Sequence, residues 1–244
     1  MGETYLIDGS RLDANRARAL FSGSRLEDRQ VRCLNLLEGQ RIVEIGSYSG
    51  HFVAEAVRRL PGSEVIGTDY FPDHIRLARL LHPEIADQFR QMSVYQLDLP
   101  DASVDCVVMQ EVIEHLEGAA LAVKEVNRVL KPGGVFIVTT PHPYYWRDLA
   151  AFFVRESANR LRRQRQLKTA IYFDDVEWNR HIYCWTPSTL LTLMVTNGFA
   201  YVDHDFSTDA RGWLESALLR VFPVLGPTQI VKVRKTGESR KDMV

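Results

Sequence analysis

Short apolar runs punctuate the middle of this chain, at 41–45, 64–68, 104–109 and 134–140. Between them, apolar residues recur at helical spacing over 50–60, 72–82 and 118–130. Strand alternating with helix predicts parallel βαβ units and a doubly wound sheet. "LKPGG" (130–134) predicts a helix stop followed by a strand start, because proline ends the helix and glycines accept positive φ. The first forty residues predict two helices, "SRLDANRARALF" and "SRLEDRQVRCLNLL". The second opens on Ser24 with Glu27 three residues on, a capping-box pattern. After Thr140 the alternation lapses over 141–180. It resumes as a helix, "TPSTLLTLMVTNGF", a strand, "GFAYVDHDF", an amphipathic helix, "GWLESALLRVFPVLG", and a last strand, "TQIVKVRK".

Composition narrows the class. The 244 residues are 45% hydrophobic and 25% charged with a formal net charge of −1, so no overall field selects nucleic acid or membrane as partner. Cys33, Cys106 and Cys184 are odd in number and form no CxxC pair, which predicts reduced thiols and a cytoplasmic setting. The first residues lack a basic region followed by an apolar core, and no apolar run approaches the ~18 residues a membrane span needs.

Candidate chemistry begins at "VEIGSYSG" (43–50), where a strand runs into a glycine-bearing turn and then a helix. Such a turn lets backbone N–H groups approach a ligand closely, and by itself it suits NAD, a nucleotide or S-adenosylmethionine (SAM). The second strand ends in Asp69, whose carboxylate can accept both hydroxyls of a ribose or cap a helix.

With "ASVDCVVMQEVIEHL" and "LKPGGVFIVTTP" following in order, residues 38–141 and 181–206 resemble the class I SAM-dependent methyltransferases. The resemblance implies a Rossmann-like α/β fold with a seven-stranded, mostly parallel sheet and SAM as cofactor. Glu44, Gly46 and Gly50 match the family's first motif, with Ser47 in the same loop and Tyr48 in place of the middle glycine. Asp69 falls on the ribose-binding acid, with Tyr70 beside the adenine. Ser93 stands where the family often has an adenine-binding aspartate, Val94 follows it, and Gln110 falls where the methionine part of SAM is held. Tyr48 must either avoid positive φ or accept strain, and its ring is expected to turn away from SAM, into the cap or acceptor pocket. Tyr5, Arg11 or a neighbour is expected at the SAM carboxylate.

Methyl transfer to a hydroxyl gains from removal of its proton by a base or from a metal. On a helical turn, Glu111, Glu114 and His115 of "EVIEH" share one face. His181, four residues before Trp185-Thr186, resembles the "HxxxWT" element of small-RNA 3′-terminal 2′-O-methyltransferases, so Glu111, Glu114, His115 and His181 form a candidate Mg²⁺, Mn²⁺ or Zn²⁺ site. Sugar and small-molecule methyltransferases carry a similar element. Without metal, His115 or His181 is the expected general base, and His142 in "TPHP" is a third candidate lining the acceptor pocket.

The expected organisation is one domain, 1–244: an N-terminal helical lid (1–38), a SAM-binding core (39–141), a cap insertion after strand five (142–180) and the rest of the core (181–236). The cap is rich in aromatics (Tyr144, Tyr145, Trp146, Phe152, Phe153, Tyr172, Phe173 and Trp178), suiting either its own packing or an acceptor platform. Residues 155–168 carry six bases against one acid, either a solvated face or a contact for substrate, lipid headgroup or nucleic acid. The favoured expectation is O-methylation of a small molecule such as a sugar, polyketide, phenolic or quinone precursor. The alternatives are metal-assisted 2′-O-methylation of an RNA end, against which the lack of a separate RNA-binding domain counts, and a non-catalytic SAM-binding protein. Amphipathic segments at 148–163 and 212–226 permit peripheral membrane contact.

Overall fold

The computed structural model describes residues 4–7, 10–21, 23–161, 181–209 and 212–237. Seven strands form one sheet: β3 (Arg41–Ile45), β4 (Glu64–Asp69), β5 (Phe89–Gln91), β6 (Val104–Gln110), β7 (Leu130–Pro141), β8 (Phe199–Phe206) and β9 (Thr228–Lys235). Their order is β5-β4-β3-β6-β7-β9-β8, or 3-2-1-4-5-7-6 counted along the sheet's own strands. β9 alone runs antiparallel to its neighbours β7 and β8. The three-residue β5 carries too little apolar pattern to be read from sequence.

Helices cover both faces. On one face α2 (Asp28–Asn35), α3 (His51–Arg59) and α4 (Pro72–Leu81) bury Leu34, Phe52, Val53 and Ile75 against Ile42, Val65, Val108 and Ile137. On the other, α5 (Ala119–Val129) and α7 (Pro187–Thr196) bury Val123, Val126 and Leu190 against Val43, Ile66, Met109 and Val138. The alternation of residues 42 and 43, or 137 and 138, between the two cores follows from the two-residue period of a strand.

The expected helix at 10–21 is corrected. Ser10–Asp13 is strand β2, paired antiparallel with β1 (Thr4–Ile7), and α1 is Ala14–Phe21. Asp13 Oδ1 accepts from the N–H groups of Asn15 and Arg16 at 2.9 and 3.0 Å, so the helix starts only after that cap. The second N-terminal helix also starts later than expected. Its capping box is Glu27 with Gln30, whose Oε1 accepts the Glu27 N–H at 3.0 Å, rather than Ser24 with Glu27. Beyond β7, α6 (Trp146–Leu161) opens the inserted segment, and α8 (Trp213–Val221) precedes β9. The side chains of Tyr5, Arg11 and Phe152, residues 162–180 with Tyr172, Phe173 and Trp178, and the charged side chains of the 155–168 run lie outside the described residues.

Candidate active site

The carboxyl ends of β3, β4, β6 and β7 meet along one edge, where doubly wound sheets hold their ligands. At the end of β3 the chain turns sharply. Gly46 N–H and Ser47 N–H both donate to Thr68 O, at 2.8 and 2.9 Å, and Gly50 N–H closes the turn on Ser47 O at 2.7 Å. Gly46 and Gly50 have φ of 81° and 78°, and a Cβ on Gly46 would collide with Val112. Tyr48 accepts the strain: its φ is 47°. Its ring packs edge-on against Phe21 of α1 (centroids 5.7 Å) and His74 of α4 (4.8 Å).

Asp69 ends β4 next to this loop. Its Oδ2 accepts the Tyr48 N–H at 3.0 Å, and its Oδ1 accepts the Phe71 N–H at 3.0 Å and faces His74 Nδ1 at 3.1 Å. Three partners fix one carboxylate orientation. Tyr70 beside it is exposed, with its ring edge-on to Phe71. Ser93 Oγ accepts the Tyr95 N–H at 3.3 Å, while Val94 is buried in the core under α5.

Glu44, 3% exposed, accepts from Gln110 Nε2 at 2.9 Å through Oε1, and its buried Oε2 has no partner. Burial pushes its carboxyl up to about 8, against the pull of Gln110 and of the Arg29 charge. Ser47 Oγ is likewise buried without a partner. Arg29 reaches over this edge from α2, bonding Glu27 Oε2 at 2.8 Å and placing Nη1 3.4 Å from Gln110 Oε1. Arg29 is a site residue the sequence does not disclose, since one arginine in a polar helix reads as a solvated face; His74 is hidden likewise in α4.

After β6, the expected helical face is corrected. Glu111 has a φ of 52°, and only a short 3₁₀ turn, Ile113–His115, follows. The reversal sends the two acids to different partners. Glu111 Oε1 accepts from Thr139 Oγ1 and Glu114 Oε2 from Thr140 Oγ1, each at 3.0 Å. Burial raises the pKa of both carboxyls, and Glu111 raises Glu114 further.

His181 is brought in from the far end of the insertion by the backbone. Glu114 O accepts the N–H groups of Ile182 and Tyr183 at 2.8 and 3.1 Å. The rings of His181 and His115 therefore stack edge-on, 4.8 Å apart, and His115 Nε2 lies 3.9 Å from Glu114 Oε1, a buried atom without a hydrogen-bond partner. One potential ligand atom from each of Glu114, His115 and His181 falls within 4.8 Å of the others; Glu111 is not in that group. His142 is separate: buried, its pKa lowered chiefly by burial, with Nδ1 3.3 Å from Gly226 O and Nε2 without a partner. Trp185 Nε1, from the segment after His181, is also buried without a partner, whereas Gln229 of β9 donates through Nε2 to Trp185 O at 2.6 Å and bonds the His204 side chain.

Residues 43–138 match the family model of the methyltransferase domain. An S-adenosylmethionine-dependent methyltransferase of Mycolicibacterium smegmatis is 41% identical over 107 residues, 43% of this chain and 39% of that protein. A ubiquinone biosynthesis O-methyltransferase of Alkalilimnicola ehrlichii is 35% identical over 134 residues, 52% of this chain and 53% of that protein. This chain thus spans about half the length, or less, of these curated relatives. Among solved structures, the methyltransferase in complex with the Haloferax volcanii Trm112 activator superposes with a TM-score of 0.64 at 17% identity, covering 93% of this chain and 96% of that one. A SAM-dependent methyltransferase of Mesorhizobium loti gives 0.58 at 20% identity, covering 85% and 98%. The family match places a methyltransferase domain at residues 43–138, and the sheet order and glycine turn are those of the class I SAM-dependent methyltransferase fold.

Proposed function

We propose that this protein transfers the methyl group of SAM to a hydroxyl of a small-molecule acceptor. The residues of the loop fit the donor: a glycine turn with no room for a side chain at Gly46, and two buried polar atoms, Glu44 Oε2 and Ser47 Oγ, that await partners. Glu44 and Gln110 would take the amino-acid end of SAM, Arg29 its carboxylate, Asp69 the ribose, and Tyr70, Ser93 and Val94 the neighbourhood of the adenine. SAM supplies a methyl group already activated on a sulfonium.

The remaining work belongs to this chain: holding the acceptor in line, excluding water and taking its proton. The observation that carries the O-methyl reading is the pair of imidazoles, His115 and His181, against the buried carboxyl of Glu114 at the end of β6. Either imidazole can accept the hydroxyl proton, and the imidazolium that results would favour ionisation of the Glu114 carboxyl, whose pKa burial otherwise raises. His142 and Trp185 present further unpaired polar atoms for acceptor hydroxyls. The partial likeness to a ubiquinone biosynthesis O-methyltransferase supports the same reaction type.

A second reading has its own observation. The convergence of Glu114, His115 and His181 suits a divalent ion with open positions, which would polarise the acceptor oxygen. The fourth ligand expected from sequence, Glu111, is engaged by Thr139 instead, which favours the base reading. Incubation with SAM and panels of phenols, sugars and RNA ends, read by the mass gain of one CH₂, tests the proposal. Methylation of a small-molecule hydroxyl that survives EDTA supports it. Methylation of RNA alone, or of nitrogen alone, defeats it.

A further inference from the structure

Helix α8 has two unlike faces. Glu215 and Leu219, four residues apart, are buried. Glu215 accepts hydrogen bonds from Tyr145 Oη and Trp146 Nε1, both at 3.1 Å, and from Arg147 at 2.7 and 2.9 Å, fastening α8 to the start of α6. The outward face is apolar. Trp213, Leu214 and Val221 are 78, 66 and 68% exposed, and exposed Phe222 and Val224 continue the patch past the helix end. From 213 to 224 the charged residues are Glu215, which is buried, and Arg220, which is exposed. The outward face is thus apolar with a positive charge. A monomer seldom leaves so many large apolar groups together in water, and a tryptophan at the edge of such a face suits the boundary between water and lipid.

The patch adjoins His142, the third histidine expected at the acceptor pocket. The turn after α8 is tied to His142 at the end of β7: His142 N–H donates to Pro227 O at 2.7 Å, and Nδ1 lies near Gly226 O. No helix among the described residues is long and apolar enough to cross a membrane, so contact at this face would lie in the interface plane.

We propose that the outward face of α8 and the turn after it dock this protein on an anionic lipid bilayer. The surface deepens the small-molecule reading above, and rests on it for what is delivered: a hydroxyl compound held at the bilayer. Arg220 supplies the charge complement, and Trp213, Leu214 and Phe222 the apolar insertion.

Flotation of the full chain with vesicles tests this. The chain is expected to float with phosphatidylglycerol-containing vesicles and much less with phosphatidylcholine alone. Trp213→Asp should lower the bound fraction about tenfold and Arg220→Glu severalfold, with thermal melting unchanged because both positions are exposed. No flotation of the wild type, or flotation indifferent to both variants, overturns the proposal. So does light scattering that shows a dimer which Trp213→Asp converts to monomer, since the face would then meet a second copy. SAM calorimetry on the same sample separates the two readings. SAM binding without flotation sinks the lipid surface alone; flotation without SAM binding sinks the methyltransferase reading alone.

Discussion

Tyr48 donates its backbone N–H to Asp69 Oδ2 at 3.0 Å, tying the glycine turn after β3 to the acid that ends β4. The bond depends on Tyr48 holding a left-handed φ, for which a residue with a side chain is strained by about 1 kcal/mol. The ring, packed on Phe21 and His74, offsets that strain. Tyr48→Gly is expected to keep the turn but release α1. Hydrogen exchange in 14–21 should accelerate by about tenfold, with SAM affinity falling only a few-fold. Unchanged exchange in α1 would show that the ring does not hold it.

Glu44 sets a pH dependence. Its carboxyl titrates near 8 in the folded protein and at its ordinary lower value when unfolded, so between those limits the folded state holds a proton the unfolded state has lost. Folding stability should therefore fall as pH rises through that window, by an amount of order a few kcal/mol, and Glu44→Gln should flatten the fall. A cationic ligand group beside Glu44 would expel the same proton. Calorimetry of SAM binding near neutral pH, in buffers of different ionisation enthalpy, should show close to one proton released by the wild type and far less by Glu44→Gln. Equal release by both would assign the proton elsewhere.

Arg29 reaches the loop through Gln110 and lowers the pKa of Glu44, Glu111 and Glu114 by its charge. If it takes the SAM carboxylate, Arg29→Ala should raise the SAM Kd by roughly ten- to a hundredfold, the worth of a charge-assisted hydrogen bond, with kcat at saturation little changed. A loss confined to kcat would contradict that role.

The histidine pair predicts a kinetic split. His115→Ala and His181→Ala should each lower kcat by about 10²-fold or more while SAM affinity stays within a few-fold of wild type. Under the base reading, EDTA leaves the wild type active. Activity lost in EDTA and restored by a divalent ion would replace the base with the metal at Glu114, His115 and His181.

The central strands β3, β4, β6 and β7 were legible because each carries a short apolar run between turn signals, and the glycine turn with Asp69 pointed to the nucleotide edge. What sequence could not disclose was decided by single backbone torsions and distant contacts. "EVIEH" has helical spacing, but the left-handed Glu111 breaks it and sends the two acids to Thr139 and Thr140. His181 reaches His115 only because Glu114 O accepts from the backbone at 182 and 183, a pairing across nearly seventy residues. Ser10–Asp13 has the helical periodicity of its neighbours, yet pairs with Thr4–Ile7 as a strand, and the Asp13 cap starts the helix only after it.

Titration calorimetry of the folded chain with SAM decides whether the turn after β3 holds the methyl donor. Saturable one-to-one binding with a Kd of roughly 1–100 μM is expected, abolished in Gly46→Ala, where the added methyl group would collide with Val112. A folded wild-type sample that takes up no SAM at about 100 μM, or a Gly46→Ala variant that binds as well as wild type, would contradict it.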